Sequence, residues 1–378
     1  DTVGPSPGAI ERRANDAVAG NQENGDVAAL ADGRFAIAWQ SDSADSEASG
    51  ISMRVFGADG MPHSAETTAN EYEPGIQHDP AVAARPESPR FVVAWCSFGQ
   101  EQLEDVYARL FDQDGKPTSP EFMVNEQTAL MQHSPAAAVT GDGIIQIAWS
   151  GHNQDDGTME IRARFFDQEA EPVTAEFSLS EELEGEHGQP ALAVMEGDSP
   201  GTVVAWETLL DGGGRKLHLA KLDDQGQLLV EPFPFEPDGL PSRPRPASDG
   251  EGGLFLLWLS AGDIRGHAFG AQVAPTGTTL EILAGGTTTR AEGWFRSPDG
   301  IWVVSEHSAA DISGYGIVRT HTDLSGKNLS PQALINRHEA GDQRSPFGTV
   351  LTTDDAVLGW HSPDQDGDGN GIYFIVLD

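Results

Sequence analysis

The chain has 378 residues and a formal net charge of −38, from 60 acidic and 22 basic side chains. Such an acidic surface repels polyanions, which argues against nucleic acid and anionic lipid as partners and leaves cations as attractive ligands. No apolar run approaches the roughly 18 to 20 residues that span a bilayer, so no insertion into a membrane is expected. The single cysteine, Cys96, excludes an internal disulfide framework and any zinc site built on cysteines. Because Cys96 follows Trp95 in an apolar strand, we expect it to be buried and inert.

The first residues, DTVGPSPG, contain neither a methionine nor the apolar stretch of a signal peptide. We therefore expect a processed or trimmed chain, and an extracellular, periplasmic or cell-surface location. Residues 1–8 are expected to form a flexible tail. The whole chain, residues 1–378, is expected to form one domain and to be a monomer.

A short polar skeleton, Asn-x6-Gln-x2-Pro, returns along the chain at constant spacing. The first copy has Asn15 and Gln22, with Gly25 in the place of the proline. The complete copies are Asn70, Gln77 and Pro80; Asn125, Gln132 and Pro135; and Asn336, Gln343 and Pro346. Proline at the first position of a strand costs no ladder hydrogen bond, and a short amide side chain satisfies backbone groups of a turn. The skeleton is therefore interpreted first as the connection between one structural unit and the next.

Each copy of the skeleton is followed by the same series of strands. An apolar segment leads through a Gly/Asp turn to a strand that ends in tryptophan, as in DVAALADGRFAIAWQS. After a variable loop come an alternating strand such as ISMRVFGADG and a short last strand such as EFMVN. The strand-end tryptophans are Trp39, Trp95, Trp149, Trp206, Trp258 and Trp360. In the sixth unit, aligning DGRFAIAWQS with DGIWVVSEHS places Trp302 at the Phe35 position and Glu306 at the Trp39 position.

Seven such units of roughly 50 to 57 residues, each with four short strands, predict an all-β fold, a seven-bladed β-propeller of antiparallel blades. The chain stops after GIYFIVLD, the third strand of unit seven, and GAIERRAN near the start resembles the fourth strand that this unit lacks. We therefore expect residues 9–16 to complete the last blade as its outer strand. This closes the ring and removes two open sheet edges.

The repeats resemble those of secreted bacterial β-propeller proteins whose units carry VAWxS, DG, IxAxxFDxxG and EFxVN segments. FVVAWCS, VYARLFDQDG and EFMVN, between residues 91 and 125, carry the likeness most clearly. The likeness covers nearly the whole chain, and units five and six depart from it most. It implies the propeller fold and an extracellular habit. Because such repeats have no single activity, it implies no catalytic residue.

The first candidate site is the mouth of the central channel, on the face that carries the variable loops. The residue after the repeated glutamine is Glu23, His78, His133 or Arg344, with His187 near the same place in unit four. Imidazoles with a carboxylate suit zinc or copper, so a candidate transition-metal set is Glu23, His78, His133 and His187. One alternative is a polar mouth that binds a small ligand through Gln22, Gln77, Gln132, Gln343 and Arg344. The other alternative is a ring with a purely structural role.

The second candidate site is the acidic loop HSPDQDGDGNG near the end of the chain. It offers oxygen ligands at alternating positions, as calcium loops do, from Asp364, Asp366, Asp368 and Asn370. The twelfth position of an EF-hand would be Ile375, which is no ligand, and no flanking helices are expected, so an EF-hand is excluded. A shorter calcium-stapled loop and a plain acidic turn stay open as alternatives.

The third candidate site is the departure from the repeat in unit six. Glu306 stands where other units have tryptophan, His307 follows it, and His361 follows Trp360 in the adjacent unit. A carboxylate between imidazoles can serve acid-base catalysis or bind a metal. Divergence of a degenerate blade explains the same residues without a function. GxSxG, HExxH and phosphate-binding glycine loops are absent from the sequence.

We favour an exported, non-catalytic binding module whose variable face and polar channel mouth contact a partner protein, a glycan or a cation. Strong repetition without a motif for chemistry is the basis of this choice. The alternative is an enzyme, a polysaccharide lyase or hydrolase with or without a metal, which uses the channel mouth or the Glu306, His307 and His361 cluster.

Overall fold

The computed structural model describes residues 10–42, 44, 48–101, 103–248, 252–283, 288–297, 300–308, 314–323, 329 and 332–377. The predicted tail, residues 1–8, lies outside this range. None of the described residues forms a helix long and apolar enough to cross a membrane.

The described chain forms seven four-stranded antiparallel sheets; six are made of strands that follow one another in sequence, and the seventh adds the first strand of the chain to the last three. We number these sheets as blades 1 to 7. Blade 1 contains β2 (Gln22–Ala29), β3 (Phe35–Ser41), β4 (Gly50–Phe56) and β5 (Thr67–Thr68). Blade 2 contains β6 (Ile76–Ala84), β7 (Arg90–Phe98), β8 (Glu104–Asp112) and β9 (Phe122–Met123). Blade 3 contains β10 (Gln132–Val139), β11 (Ile145–His152), β12 (Met159–Phe166) and β13 (Phe177–Ser178). A 3-10 turn, Ala31–Gly33, joins β2 to β3.

The remaining blades have the same order of strands. Blade 4 contains β14 (Glu186–Met195), β15 (Gly201–Leu209), β16 (Arg215–Leu222) and β17 (Leu228–Phe235), and blade 5 contains β18 (Pro241–Ser248), β19 (Leu254–Ser260), β20 (Asp263–Phe269) and β21 (Pro275–Leu283). Blade 6 contains β22 (Thr288–Ser297), β23 (Gly300–Ser308), β24 (Tyr315–Thr322) and β25 (Ala333–Leu334). Blade 7 contains β26 (Arg344–Val350), β27 (Ala356–Pro363), β28 (Asn370–Leu377) and β1 (Arg12–Arg13).

The first strands of the seven blades contact one another in a closed cyclic order, β2, β6, β10, β14, β18, β22, β26 and back to β2. The fold is therefore a seven-bladed β-propeller, as the repeat predicts. The closure is also confirmed: in β1, Arg12 lies opposite Phe374 and Arg13 opposite Tyr373 of β28. Within the predicted span 9–16, of which residue 9 lies outside the described residues, the ladder covers Arg12–Arg13; the N–H of Ala14 donates to the carbonyl of Ile372, and the side chain of Asn15 then takes over the hydrogen bonding.

Seven apolar clusters, one between each pair of neighbouring blades, hold the propeller together. The strand-end tryptophans are all buried, and each packs toward the preceding blade; Trp39, for example, lies with Phe347 and Phe374 of blade 7. The cluster between blades 7 and 1 also contains Ala14, so apolar packing reinforces the ring closure. Burial of this kind is the main favourable contribution to folding.

The repeated asparagine and glutamine join each blade to the next. The asparagine Oδ1 accepts a hydrogen bond from a buried backbone N–H on the third strand, at 2.8 Å from Ile51 to Asn70 and from Val106 to Asn125. The asparagine Nδ2 donates to the carbonyl two residues on, as from Asn70 to Tyr72 at 2.9 Å, and also to the Oε1 of Gln77 at 3.4 Å. These bonds satisfy backbone groups that the short outer strands leave unpaired.

Blade 6 departs from the predicted register by one residue. Glu306 pairs with Ile317, and the N–H of Ile317 donates to the skeleton asparagine Asn336. In blade 2 the residue with the same two relations is Cys96, which pairs with Val106, and the N–H of Val106 donates to Asn125. Ser305, not Glu306, therefore takes the tryptophan position, and Trp302 takes the Ala36 rather than the Phe35 position. The cause is a shorter hairpin between the first and second strands of blade 6. Gly300 is itself paired, with Ser297, whereas in blade 1 the turn glycine Gly33 lies in the loop and the first pair after the turn is Ala29 with Phe35.

Candidate ligand-binding face at the channel mouth

Two positions in each blade form what we call the mouth ring: the residue after the repeated glutamine on the first strand, and the residue after the tryptophan on the second strand. These two residues lie opposite each other in the sheet. The pairs are Glu23 and Gln40, His78 and Cys96, His133 and Ser150, Gly188 and Glu207, Ser242 and Leu259, Arg290 and Glu306, and Arg344 and His361. The mouth ring therefore has different chemistry in each blade at one structural position.

A β-bulge follows the mouth-ring residue on the first strand in six blades, and it explains how these side chains are aimed. The bulge residue has a left-handed backbone, with φ between 50° and 56°, at Asn24, Asp79, Ser134, Gln189, Arg243 and Ser345. In blades 4, 5 and 7 its N–H donates to the second mouth-ring residue of the preceding blade, from Gln189 to Ser150 at 3.3 Å, from Arg243 to Glu207 at 3.0 Å and from Ser345 to Glu306 at 3.1 Å. The bulge thus links neighbouring blades through the mouth ring.

The four predicted glutamines lie beneath the mouth ring and are fully buried: Gln22, Gln77, Gln132 and Gln343. Three of them accept a hydrogen bond from the skeleton asparagine, and Gln132 instead accepts from Trp149 Nε1 at 2.8 Å. Their amide groups donate to nearby loop carbonyls. These contacts support the structural role that the sequence left open.

His187 does not belong to the mouth ring. It lies opposite Thr208, one position before the mouth-ring pair Gly188 and Glu207, so it replaces the glutamine of the skeleton. Like Gln132 it is buried and accepts from a tryptophan, with 3.3 Å between Trp206 Nε1 and His187 Nδ1. The sequence placed it only near the mouth position, and the register puts it one residue before that position.

A buried histidine pair extends from His187 into blade 4. The Thr208 hydroxyl contacts His187 Nδ1 at 2.9 Å and His218 Nδ1 at 2.7 Å, and the His218 ring stacks on Trp206. Burial, with smaller contributions from Lys216 and His187, lowers the pKa of His218 to about 3. Burial also lowers the pKa of His187. Both imidazoles are therefore neutral in the fold at neutral pH.

We expect this pair to make the propeller sensitive to acid. Because the pKa of His218 is lower in the fold than its ordinary 6.5, its stabilising contribution is complete above pH 6.5 and is lost as the pH falls toward 3. Between pH 7 and pH 4.5 the loss from His218 amounts to about 2 to 3 kcal/mol. Urea unfolding of the wild type and His218→Gln at both pH values measures it, with His63→Gln as the exposed control. A difference between wild type and His218→Gln that does not change with pH would contradict the expectation.

In blade 2 the structure brings together three side chains that the sequence did not group: His78, Cys96 and Glu104. Among the described residues they are the group of three His, Cys, Asp or Glu side chains whose ligand atoms all lie within 4.8 Å of one another. His78 Nε2 lies 3.3 Å from Glu104 Oε1, and His78 Nδ1 lies 3.3 Å from Asp79 Oδ2. Burial alone lowers the pKa of His78, but the contacts with Asp79 and Glu104 outweigh it and raise the pKa to about 9. Burial raises the pKa of Cys96.

The set predicted for a transition metal is thus not gathered as proposed from the sequence. Only His78 of that set belongs to the group in blade 2. His133 contacts Ser134 Oγ at 3.1 Å and lies beside His152, with 6.4 Å between the ring centroids. Glu23 Oε1 lies 3.5 Å from the amide of Asn370. Burial lowers the pKa of His133, so this imidazole is neutral at neutral pH.

Between blades 6 and 7 the mouth ring contains a carboxylate beside a guanidinium. Glu306 is 3% exposed and its Oε1 lies 3.9 Å from Arg344 Nη1. Arg344 also pairs with Asp342 at 2.6 Å and stacks on Tyr315, 4.0 Å from the ring centroid. The other two residues of the predicted cluster lie near this pair: His361 is buried opposite Arg344, and His307 contacts the carbonyl of Ser308.

The acidic loop between β27 and β28 packs against the loop after Asn15. Asp366 accepts a hydrogen bond from Asn15 Nδ2 at 2.9 Å, Asp368 accepts from the N–H of Gly20 at 3.3 Å, and Asn370 N–H donates to Asn21. Asp364 has a left-handed backbone and its N–H closes the turn onto Gly369. The loop therefore secures the ring closure in this structure, and its calcium site stays a prediction.

A cleft of 630 Å³ opens on the same face between blades 3 and 4. Its walls are acidic and include Asp156, Glu160, Glu181, Glu184 and Asp211. One wall is fixed by Arg162, which pairs with Glu160 at 3.0 Å and with Glu176 at 2.6 Å, all three side chains being buried. The sequence did not single out this triad.

Comparisons with known proteins show the fold. No family model and no curated protein matches the chain. Among solved structures it is similar to a protein of unknown function from Dyadobacter fermentans, with TM-score 0.53 and 11% identity, covering 99% of this chain and 100% of that one. It is also similar to the NanB sialidase from Streptococcus pneumoniae, with TM-score 0.53 and 10% identity over 99% of this chain and 71% of that one. A prolyl endopeptidase structure gives TM-score 0.55 and 14% identity over 91% and 46%.

Proposed function

We propose that the protein is an exported binding module that holds a glycan at the mouth ring. The observation that carries the proposal is the contrast between scaffold and mouth. The skeleton asparagine and the bulge recur from blade to blade with the same hydrogen bonds, whereas the mouth ring varies among carboxylate, imidazole, thiol, hydroxyl and guanidinium groups. Side chains that differ at one position of a rigid repeat are typical of a single, asymmetric binding site.

The chemistry of the mouth ring favours a polar ligand. Carboxylates and imidazoles accept hydrogen bonds from hydroxyl groups, and Arg344, with 38% of its side chain exposed, donates to them from a guanidinium that Asp342 and Tyr315 hold in place. Convergent polar groups of fixed geometry are what a sugar requires. A partner protein or a cation is the alternative occupant of the same face.

Arg344→Ala is expected to weaken glycan binding about tenfold, because it removes the fixed donor and leaves Asp342 unpaired. The matched control is Arg90→Ala on the opposite face, whose guanidinium pairs with Glu169. A glycan array identifies the ligand, and calorimetric titration of the three proteins measures its affinity. A wild type that binds no glycan, or an Arg344→Ala variant that binds as tightly as the wild type, would refute the proposal.

A second candidate function is a polysaccharide lyase or hydrolase. Its support is the buried Glu306 close to Arg344, since a carboxylate in a desolvated site can act as an acid or a base. One of the similar structures is named a sialidase. Turnover of an acidic or neutral polysaccharide that Glu306→Gln abolishes would favour the enzyme over the binding module.

A further inference from the structure

We propose that His78, Cys96 and Glu104 form a binding site for a Zn²⁺ ion at the blade 2 side of the mouth ring. This inference is independent of the glycan proposal, because metal binding is measured without any glycan.

The three side chains converge because of the strand register in blade 2. His78 on β6 lies opposite Cys96 on β7, so both point to the same face of the sheet. Glu104 on β8 lies opposite Phe98, two residues beyond Cys96, and therefore points to that face as well. The three ligand atoms come from three adjacent strands and lie within 4.8 Å of one another, so small side-chain rotations suffice to bring them onto one ion.

The donor set suits zinc. A thiolate, an imidazole and a carboxylate are the three kinds of ligand that Zn²⁺ takes in proteins, and three of them leave a fourth position open. Cys96 is fully buried and Glu104 is 7% exposed, while His78 retains 25% of its side-chain exposure and opens the site toward the channel mouth. The Glu104 carboxylate faces both other ligands: its Oε1 lies 3.3 Å from His78 Nε2, and it also contacts the Cys96 thiol.

Residues next to His78 and Cys96 make contacts with them of the kind that surrounds metal ligands in proteins. The second ring nitrogen of His78, Nδ1, faces the carboxylate of Asp79 at 3.3 Å, the arrangement that commonly orients a metal-binding histidine. The backbone N–H of Ser134, the bulge residue of blade 3, donates to the sulfur of Cys96. This contact lowers the pKa of the thiol against the rise that burial causes, whereas Asp79 orients the His78 ring and helps to hold a proton on it, so Zn²⁺ must displace a proton from both side chains on binding.

Blade 3 provides a natural control within the same chain. The register places His133, Ser150 and Met159 at the positions of His78, Cys96 and Glu104. A hydroxyl and a thioether replace the thiol and the carboxylate there, which removes two of the three zinc ligands. Zinc binding should therefore belong to blade 2 and not to every histidine of the mouth ring.

The test uses the full chain, treated with a chelator and then titrated with Zn²⁺ against a chromophoric chelator, with Co²⁺ as a spectroscopic probe. We expect one metal ion per chain and a thiolate-to-Co²⁺ charge-transfer band in the near ultraviolet. His78→Ala and Cys96→Ser should each weaken zinc binding by about ten- to a hundredfold, and Cys96→Ser should abolish the band, whereas His133→Ala should keep both. If Cys96→Ser fails to fold, Glu104→Gln replaces it and should weaken binding to a similar degree. No stoichiometric zinc in the wild type, or equal losses in His133→Ala and His78→Ala, would overturn the assignment.

Discussion

Asn15→Ala is expected to lower the free energy of unfolding by about 3 kcal/mol, which is a large share of the stability of an ordinary protein. The side chain of Asn15 is 1% exposed and joins the first segment of the chain to the last strand. Its Oδ1 accepts from the N–H of Ile372 at 2.9 Å, and its Nδ2 donates to the carbonyl of Ala17 at 2.7 Å. Alanine leaves a buried N–H and a carbonyl without their partners, and each such loss costs about 1 to 3 kcal/mol.

Asn21→Ala is the matched control for the closure. Asn21 lies in the same loop and also contacts the last hairpin, where its Oδ1 accepts from the N–H of Asn370 at 3.2 Å. Because it is only half-buried, water can replace these bonds, and we expect a loss below about 1 kcal/mol. Urea unfolding followed by tryptophan fluorescence compares the two variants. An Asn15→Ala variant no less stable than Asn21→Ala would mean that the remaining contacts, the apolar packing of Ala14 and the backbone pairing with β28, secure the ring without the Asn15 side chain.

The sequence was sufficient for the fold because its signals repeat. Three features recur in most units, and each has one structural role. The strand-end tryptophan is buried toward the preceding blade, the skeleton asparagine bonds to the third strand, and the glycine turn forms a hairpin. Errors in a single unit are corrected by the others. The closure was predictable for the same reason, since GAIERRAN supplied the element that unit seven lacked.

Register in the divergent blade was not predictable from the position of the turn glycine. The turn glycine of blade 6, Gly300, is already paired with Ser297, so the hairpin is shorter than in blade 1. Counting from the glycine therefore shifted Glu306 by one position, onto the place of the buried tryptophan. The hydrogen bond from Ile317 to Asn336, nineteen residues apart, corrects the shift. The same spacing holds from Ile51 to Asn70 and from Val106 to Asn125, so it was a usable signal in the sequence.

The group in blade 2 was hidden from sequence analysis for a different reason. Cys96 was expected to be buried and inert, and it is buried. Its neighbour Glu104 is the first residue of β8 and follows a loop that varies from unit to unit, and its counterpart in blade 3 is Met159, so no repeat marks it. What could have pointed to the group is the position after each tryptophan, which has Cys96, Glu207 and His361 where the scaffold requires no particular residue. Variation at a fixed structural position was the signal, rather than the repeated glutamines.

Arg162→Met is expected to lower the free energy of unfolding by about 3 to 5 kcal/mol, because it leaves two buried carboxylates without their cation. Arg162 Nη2 lies 3.0 Å from Glu160 and Nη1 lies 2.6 Å from Glu176, with both carboxylates 3% exposed at the side chain. Glu160 also accepts from Asn153 at 2.6 Å, which holds the wall of the cleft between blades 3 and 4. The methionine replaces the unbranched stem of the arginine and supplies no charge.

Two further variants test whether the loss of stability in Arg162→Met comes from the buried ion pairs or from the removal of any arginine. Arg85→Met removes pairs with Glu87 and Glu196, whose side chains are 74% and 51% exposed, and we expect a loss below about 1 kcal/mol. Adding Glu160→Gln and Glu176→Gln to Arg162→Met removes the unpaired charges, so the triple variant should be more stable than Arg162→Met alone. Equal losses in Arg162→Met and Arg85→Met would show that water reaches the triad. A triple variant less stable than Arg162→Met would show that the carboxylates contribute through hydrogen bonds such as that from Asn153, and that unpaired charge is not the cause of the loss.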